Sequence, residues 1–199
     1  MEYFSSDNLI EYNKKVKREG YSNVFFCVII VALLLILLYY KTFVFMVVSV
    51  KGNSMTDTLH SGDLLVADKT VSCRRGDIVV FYDGDINDEP LIKRVIAVEG
   101  DTVWSDAGFV YISYIDDNGK TVTKRLDEPY VYKSGVTNVP RTVISDGMIF
   151  VLGDNRSVSS DSRYFGAVKS SAVLGVVTDW SIKIKDWTIV SWYKSAIGA

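Results

Sequence analysis

Hydrophobic positions along the chain fall into two regimes. From Val24 to Tyr40 the sequence reads VFFCVIIVALLLILLYY, an apolar run without a polar stripe. As a helix rising about 1.5 Å per residue, this run spans roughly 26 Å, near the lower limit for crossing a bilayer. Tyr39 and Tyr40 suit an interface, where amphipathic rings collect. Two other readings compete. A cleaved leader has a shorter apolar core and small residues at a cutting site, whereas here the run passes into KTFVFMVVSV. A buried core helix would carry a polar stripe. The pattern therefore predicts a retained transmembrane anchor over 24–40, after a short N-terminal segment, 1–23.

Beyond the anchor the period shortens. Phe43–Val50 is rich in β-branched and aromatic residues and predicts a strand. Leu64–Ala67, Ile78–Tyr82, Ile92–Val98, Val110–Ile115, Met148–Leu152, Val173–Thr178 and Ile182–Ile184 are short runs of the same type. Turn signals separate them, among them Ser61-Gly62-Asp63, Arg75-Gly76-Asp77, Glu99-Gly100-Asp101 and Ser145-Asp146-Gly147. Asn118-Gly119, between Val110–Ile115 and Thr121–Thr123, is a hairpin signal. The fold class expected is mainly β: a transmembrane helix followed by a barrel-like or sandwich β domain over 43–199. Residues 102–142 are more polar and less regular, and read as a small β insert. The final WTIVSWYKSAIGA is too short and too interrupted by Lys194 for a second span. It reads as a last strand, a short helix or an interfacial segment.

Charge orients the anchor. Lys14, Lys15, Lys17 and Arg18 precede the run, and only Lys41 and then Lys51 follow it. The positive-inside rule places the N-terminus in the cytoplasm and the β domain outside the cell membrane. A net charge of −2 over 199 residues argues against nucleic-acid binding. Cys27 lies inside the apolar run and Cys73 well outside it, so a disulfide is not expected. One histidine and no Cys/His cluster leave no metal site, and no cofactor is implied.

Three segments could carry chemistry. In GNSMTDTLHSGD, Ser54 follows a predicted strand, where a hydroxyl can be presented beside backbone N–H groups that face a developing oxyanion. The plain alternative is a serine that starts a turn. In LIKRVIAVEGD, Lys93 and Arg94 interrupt an apolar run. Alternation puts Lys93 with Leu91, Val95 and Ala97, and Arg94 on the opposite face. Desolvation lowers a lysine pKa towards that of a base, while a guanidinium stays charged. The alternative is an edge-strand lysine that deters aggregation. In GDNRSVSSDSRYFG, residues 153–166, two Arg/Asp pairs suggest internal salt bridges that stiffen a polar loop. The alternative is a solvated loop bonding its own backbone. His60 is a rival base, since a triad is judged by geometry and not by sequence order.

Together, in this order and behind such an anchor, GNSMTDTL, RGDIVVF, KRVIAVEGD and GDNRSVSSDSRYFG resemble the bacterial type I signal peptidases, of the Gram-positive kind. The resemblance covers nearly the whole chain. It implies a membrane-bound serine endopeptidase that cleaves exported preproteins after their signal peptides, next to small residues one and three positions before the cut. Carried over, Ser54 is the nucleophile, and its N–H donates to the oxyanion. Lys93 is the general base. Ser159 orients the lysine, Asp161 and Arg163 form a supporting pair, and Met55 shapes the substrate cleft. Asp57 stands where the family carries a proline. Gly52 stands where Gram-negative members have an oxyanion-hole hydroxyl and Gram-positive members a glycine. Two other readings are a non-catalytic relative that assists pilus assembly and a self-cleaving Ser–Lys regulator. The presence of both Ser54 and Lys93 opposes the first. The anchor and the absence of a DNA-binding segment oppose the second.

Overall fold

The structure, a computed structural model, describes residues 6–132 and 137–184. The chain divides into two compact units, which meet in sequence between Val44 and Phe45.

The first unit is a single helix, α1 (Ser6–Tyr39), continued by a π-helical turn over Tyr40–Val44. It begins well upstream of the apolar run, because the polar stretch before Val24 contains no proline to stop it. Along the run the side chains stay exposed, Leu35 at 60% and Leu37 at 65%. Such a surface is unfavourable in water and suits hydrocarbon, where a helix satisfies its own backbone. Among the described residues this is the one helix long and apolar enough to cross a membrane. The strand expected from Phe43 begins later. The Tyr39 and Phe43 rings, 5.3 Å apart, pack along the helix face instead.

The second unit is mainly β. Its larger sheet is antiparallel and runs β1 (Phe45–Ser49), β2 (Leu64–Asp68), β11 (Val173–Val177), β3 (Ile78–Phe81), β4 (Leu91–Val98), β9 (Met148–Leu152), β10 (Val168–Lys169). β3 is apolar at every position because both of its faces are covered. Ile78 and Val80 join Met55, Leu59 and Leu65 on one side. Val79 and Phe81 join Val95, Ile149 and Val151 on the other.

Residues 102–143 carry a smaller sheet in the order β7 (Thr121–Arg125), β6 (Phe109–Ile115), β5 (Thr102–Asp106), β8 (Thr142–Val143). Val103, Val110 and Ile112 pack on Ile96, Phe150 and Leu152 of the larger sheet, so the two sheets share a core. β5 has no obvious sequence signal. Its turn into β6 uses Ala107 and Gly108, both at positive φ (49° and 84°), in place of Asn-Gly.

Two local readings need correction. Ile182–Ile184 is not a strand but the end of helix α3 (Asp179–Ile184). The Ser181 and Ile182 N–H groups bond Thr178 O, and Ile182 packs into the core. Two alternating isoleucines fit either period. In β4, a bulge between Val95 and Ala97 breaks the alternation. Leu91 and Val95 pack together, as expected, but Ala97 enters the other core. The closing WTIVSWYKSAIGA lies outside the described residues.

Candidate active site

Ser54 lies in the turn after β1, and Lys93 lies in β4, opposite Val79 of β3. The fold brings them together: Lys93 Nζ is 2.9 Å from Ser54 Oγ and donates to the Ile92 carbonyl at 3.0 Å. Lys93 is 3% exposed. Burial lowers its pKa from 10.5 to about 8, and the Asp161 charge pulls the other way. Both residues line a cleft of roughly 400 Å³ whose walls include Met46, Val48, Met55 and Ile92. Met55 is buried and also belongs to the core beneath the cleft.

The loop 153–163 holds Ser54 from the other side. Asn155 N–H donates to Ser54 O at 3.0 Å. Gly153 packs so closely that a Cβ there would lie 2.5 Å from Ser54 O and 2.6 Å from Ser159 Cβ. Asp161 is fully buried and caps helix α2 (Ser162–Phe165). Its oxygens accept from Arg163 Nε at 2.7 Å, Arg163 Nη2 at 2.8 Å and Gly153 N–H at 3.0 Å. The carboxylate thus anchors the loop at the glycine beside Ser54.

Ser159 is also buried here, but its hydroxyl makes no hydrogen bond, so the expected bond to Lys93 is not formed. The lysine amine is turned to Ser54 and to the Ile92 carbonyl instead. His60 is exposed, 3.9 Å from Asp57, and does not line the cleft. Cys27 and Cys73 are free thiols. Among the described residues, no His/Cys/Asp/Glu cluster could hold a metal ion.

The loop's two Arg/Asp pairs do not both close on themselves. Asp161 pairs with Arg163, but Asp154 reaches across to Arg94, with Nε–Oδ1 at 2.8 Å and Nη2–Oδ2 at 2.7 Å. Thr58 Oγ1 also donates to Asp154. Arg156 turns to Glu128 of the insert. The sequence signal for Arg94 was its place in an apolar run, and Glu128 had none. Removing one partner from such buried pairs costs about 3–5 kcal/mol, because the other charge is stranded.

A family described as signal peptidase, peptidase S26, matches residues 23–180. Signal peptidase I of Bacillus caldolyticus is 37% identical over 155 residues, 69% of this chain and 79% of that protein. Signal peptidase IB of Staphylococcus aureus (strain COL) is 36% identical over 152 residues, 65% of this chain and 74% of that protein. The crystal structure of a signal peptidase I from Enterococcus faecalis V583 is 34% identical, with a TM-score of 0.44, over 54% of this chain and 98% of that one. A match over most of the chain and relatives this similar place the protein in a family of serine endopeptidases: it belongs to the S26 signal peptidases.

Proposed function

We propose that this protein removes signal peptides from exported preproteins with Ser54 as nucleophile and Lys93 as general base. The observation that carries the reading is the 2.9 Å contact between Ser54 Oγ and a lysine amine almost without solvent. With a pKa of about 8, roughly a tenth of the lysines are neutral at pH 7, against roughly three in ten thousand at 10.5. A neutral amine accepts the Ser54 proton as Oγ attacks the scissile carbonyl. The Ser54 N–H donates to the oxyanion. The ammonium then protonates the leaving amine, which yields the new N-terminus and an acyl-enzyme. Lys93 next deprotonates a water, which hydrolyses the ester and regenerates the serine.

Apolar cleft walls formed by Met46, Val48, Met55 and Ile92 favour small side chains before the cut by excluding bulk. In this reading α1 spans the cell membrane with Lys14, Lys15, Lys17 and Arg18 on the cytoplasmic side, and the β unit is extracytoplasmic. Tethering enzyme and signal peptide to one membrane raises their effective concentration without new contacts. Asp161 and Arg163 support the dyad by holding Gly153, against which the Ser159 side chain packs.

The test is cleavage of a model preprotein by the full-length protein in micelles, with the cut site mapped. Ser54→Ala and Lys93→Ala should each lower the rate by at least about 10³-fold. Cleavage by either variant at the wild-type rate would sink the assignment.

A further inference from the structure

The segment Glu128–Tyr130, which follows β7, belongs to neither sheet and does not line the cleft. It nevertheless lies under both arginines that reach the loop 153–155. The Glu128 carboxylate accepts both Nη groups of Arg156, a guanidinium only 1% exposed, and the Tyr130 O–H at 3.1 Å. Arg156 Nε donates to Gly153 O at 3.0 Å, and its Nη1 reaches Thr137 Oγ1 at 3.2 Å. The Tyr130 ring lies 3.9 Å from the guanidinium carbon of Arg94, which forks Asp154. Gly153 abuts the Ser54 carbonyl and Asn155 bonds it. Both paths therefore end at the backbone of one residue.

We infer that Glu128 is a positioning residue for Ser54, acting through Arg156 and Gly153, with Tyr130 supporting the parallel path through Arg94 and Asp154. The inference rests on Ser54 being the nucleophile. Glu128 touches neither Ser54 nor Lys93, and a displacement of about 1 Å at a reacting atom is enough to lose on the order of 10² in rate. Without the carboxylate, Arg156 is a buried cation lacking its main partner. It must turn away or draw another acceptor towards it, and its hold on Gly153 O goes with it. The insert thus contributes to the site by fixing the loop, not by touching substrate. Glu128 makes no contact with Lys93, whose pKa is lowered by burial and raised by the neighbouring Asp161 charge. Loss of Glu128 should therefore lower the rate without moving the pH at which the base becomes active.

The experiment compares the full-length protein in micelles as wild type, Glu128→Gln, Glu128→Asp, Tyr130→Phe and Ser54→Ala on one model preprotein. It reads kcat, KM, the pH profile and the thermal midpoint. Glu128→Gln should lower kcat about 10- to 100-fold, with KM within about twofold and the acid limb of the profile unmoved. Glu128→Asp should recover part of the loss. Tyr130→Phe, which removes only the phenol bond, should lower kcat about threefold. A Glu128→Gln protein with a lower thermal midpoint but wild-type kcat would make the residue merely structural and overturn the inference. So would a loss confined to KM. If Glu128→Gln does not fold, Tyr130→Phe decides, and a kcat indistinguishable from wild type overturns the inference. Continued cleavage by Ser54→Ala would instead overturn the nucleophile assignment.

Discussion

Replacing Lys93 by Met should stabilise the fold while it abolishes cleavage. Lys93 is held where its charged form is disfavoured, and the fall from 10.5 to about 8 measures that penalty. At about 1.4 kcal/mol per pH unit, the cost of keeping the ammonium folded at pH 7 is about 3 kcal/mol. Met fills a similar volume with no charge to desolvate. Against the gain stands the Ile92 carbonyl, which loses its lysine donor at a cost of about 1 kcal/mol. The net expectation is a gain of about 1–3 kcal/mol. Its pH dependence has a definite sign. Between about pH 8 and 10.5 the unfolded chain holds the Lys93 proton and the folded chain has released it. Wild-type stability therefore rises relative to Met across that window, and the gap is widest below pH 8. Urea unfolding of both full-length proteins in micelles, at steps from pH 7 to 10.5, measures the difference while cancelling effects common to both. A Met variant less stable at pH 7, or a gap that does not narrow as pH rises, would refute the reasoning.

Two further substitutions, with one control, probe the support around the dyad. Gly153→Ala introduces a Cβ about 2.5 Å from the Ser54 carbonyl, so backbone must move. It should cost about 1–3 kcal/mol of stability and on the order of 10² in kcat. Gly84→Ala, whose Cβ would meet only the end of the Tyr82 side chain, its hydroxyl at 3.3 Å, should leave the rate unchanged, and equal rates for the two would contradict the packing argument. Asp161→Asn removes the charge that favours the Lys93 ammonium, so the Lys93 pKa should fall further and the acid limb of the pH–rate profile should move to lower pH. The same change strands Arg163 and should cost about 3–5 kcal/mol in unfolding experiments. A limb that moves to higher pH would contradict the electrostatic account.

The long apolar helix and the β character were legible because their signals are local. An apolar run without a polar stripe reads as one long helix, and β-branched runs punctuated by Gly-Asp turns read as strands wherever they pair. Lys93 was legible for a related reason: a cation inside LIKRVIAV stands out before any partner is known. Short or weakly patterned elements were not. Val168–Lys169 and Thr142–Val143 owe their strand character to the neighbours they pair with. Ile182–Ile184 alternates too briefly to distinguish helix from strand.

Composition and periodicity by themselves determined the long apolar helix, the fold class and a small set of chemically unusual residues. Tertiary structure decided which of those residues meet. Ser54 and Lys93 are 39 residues apart and touch only because β1's turn and β4 converge on one cleft. Sequence proximity suggested Asp154 with Arg156, yet the fold gave Asp154 to Arg94 and Arg156 to Glu128. Side-chain pairing follows strand register and loop path, which are set by contacts far apart in the chain. A local pattern can show that a charge will be buried, but only the packed molecule supplies its partner.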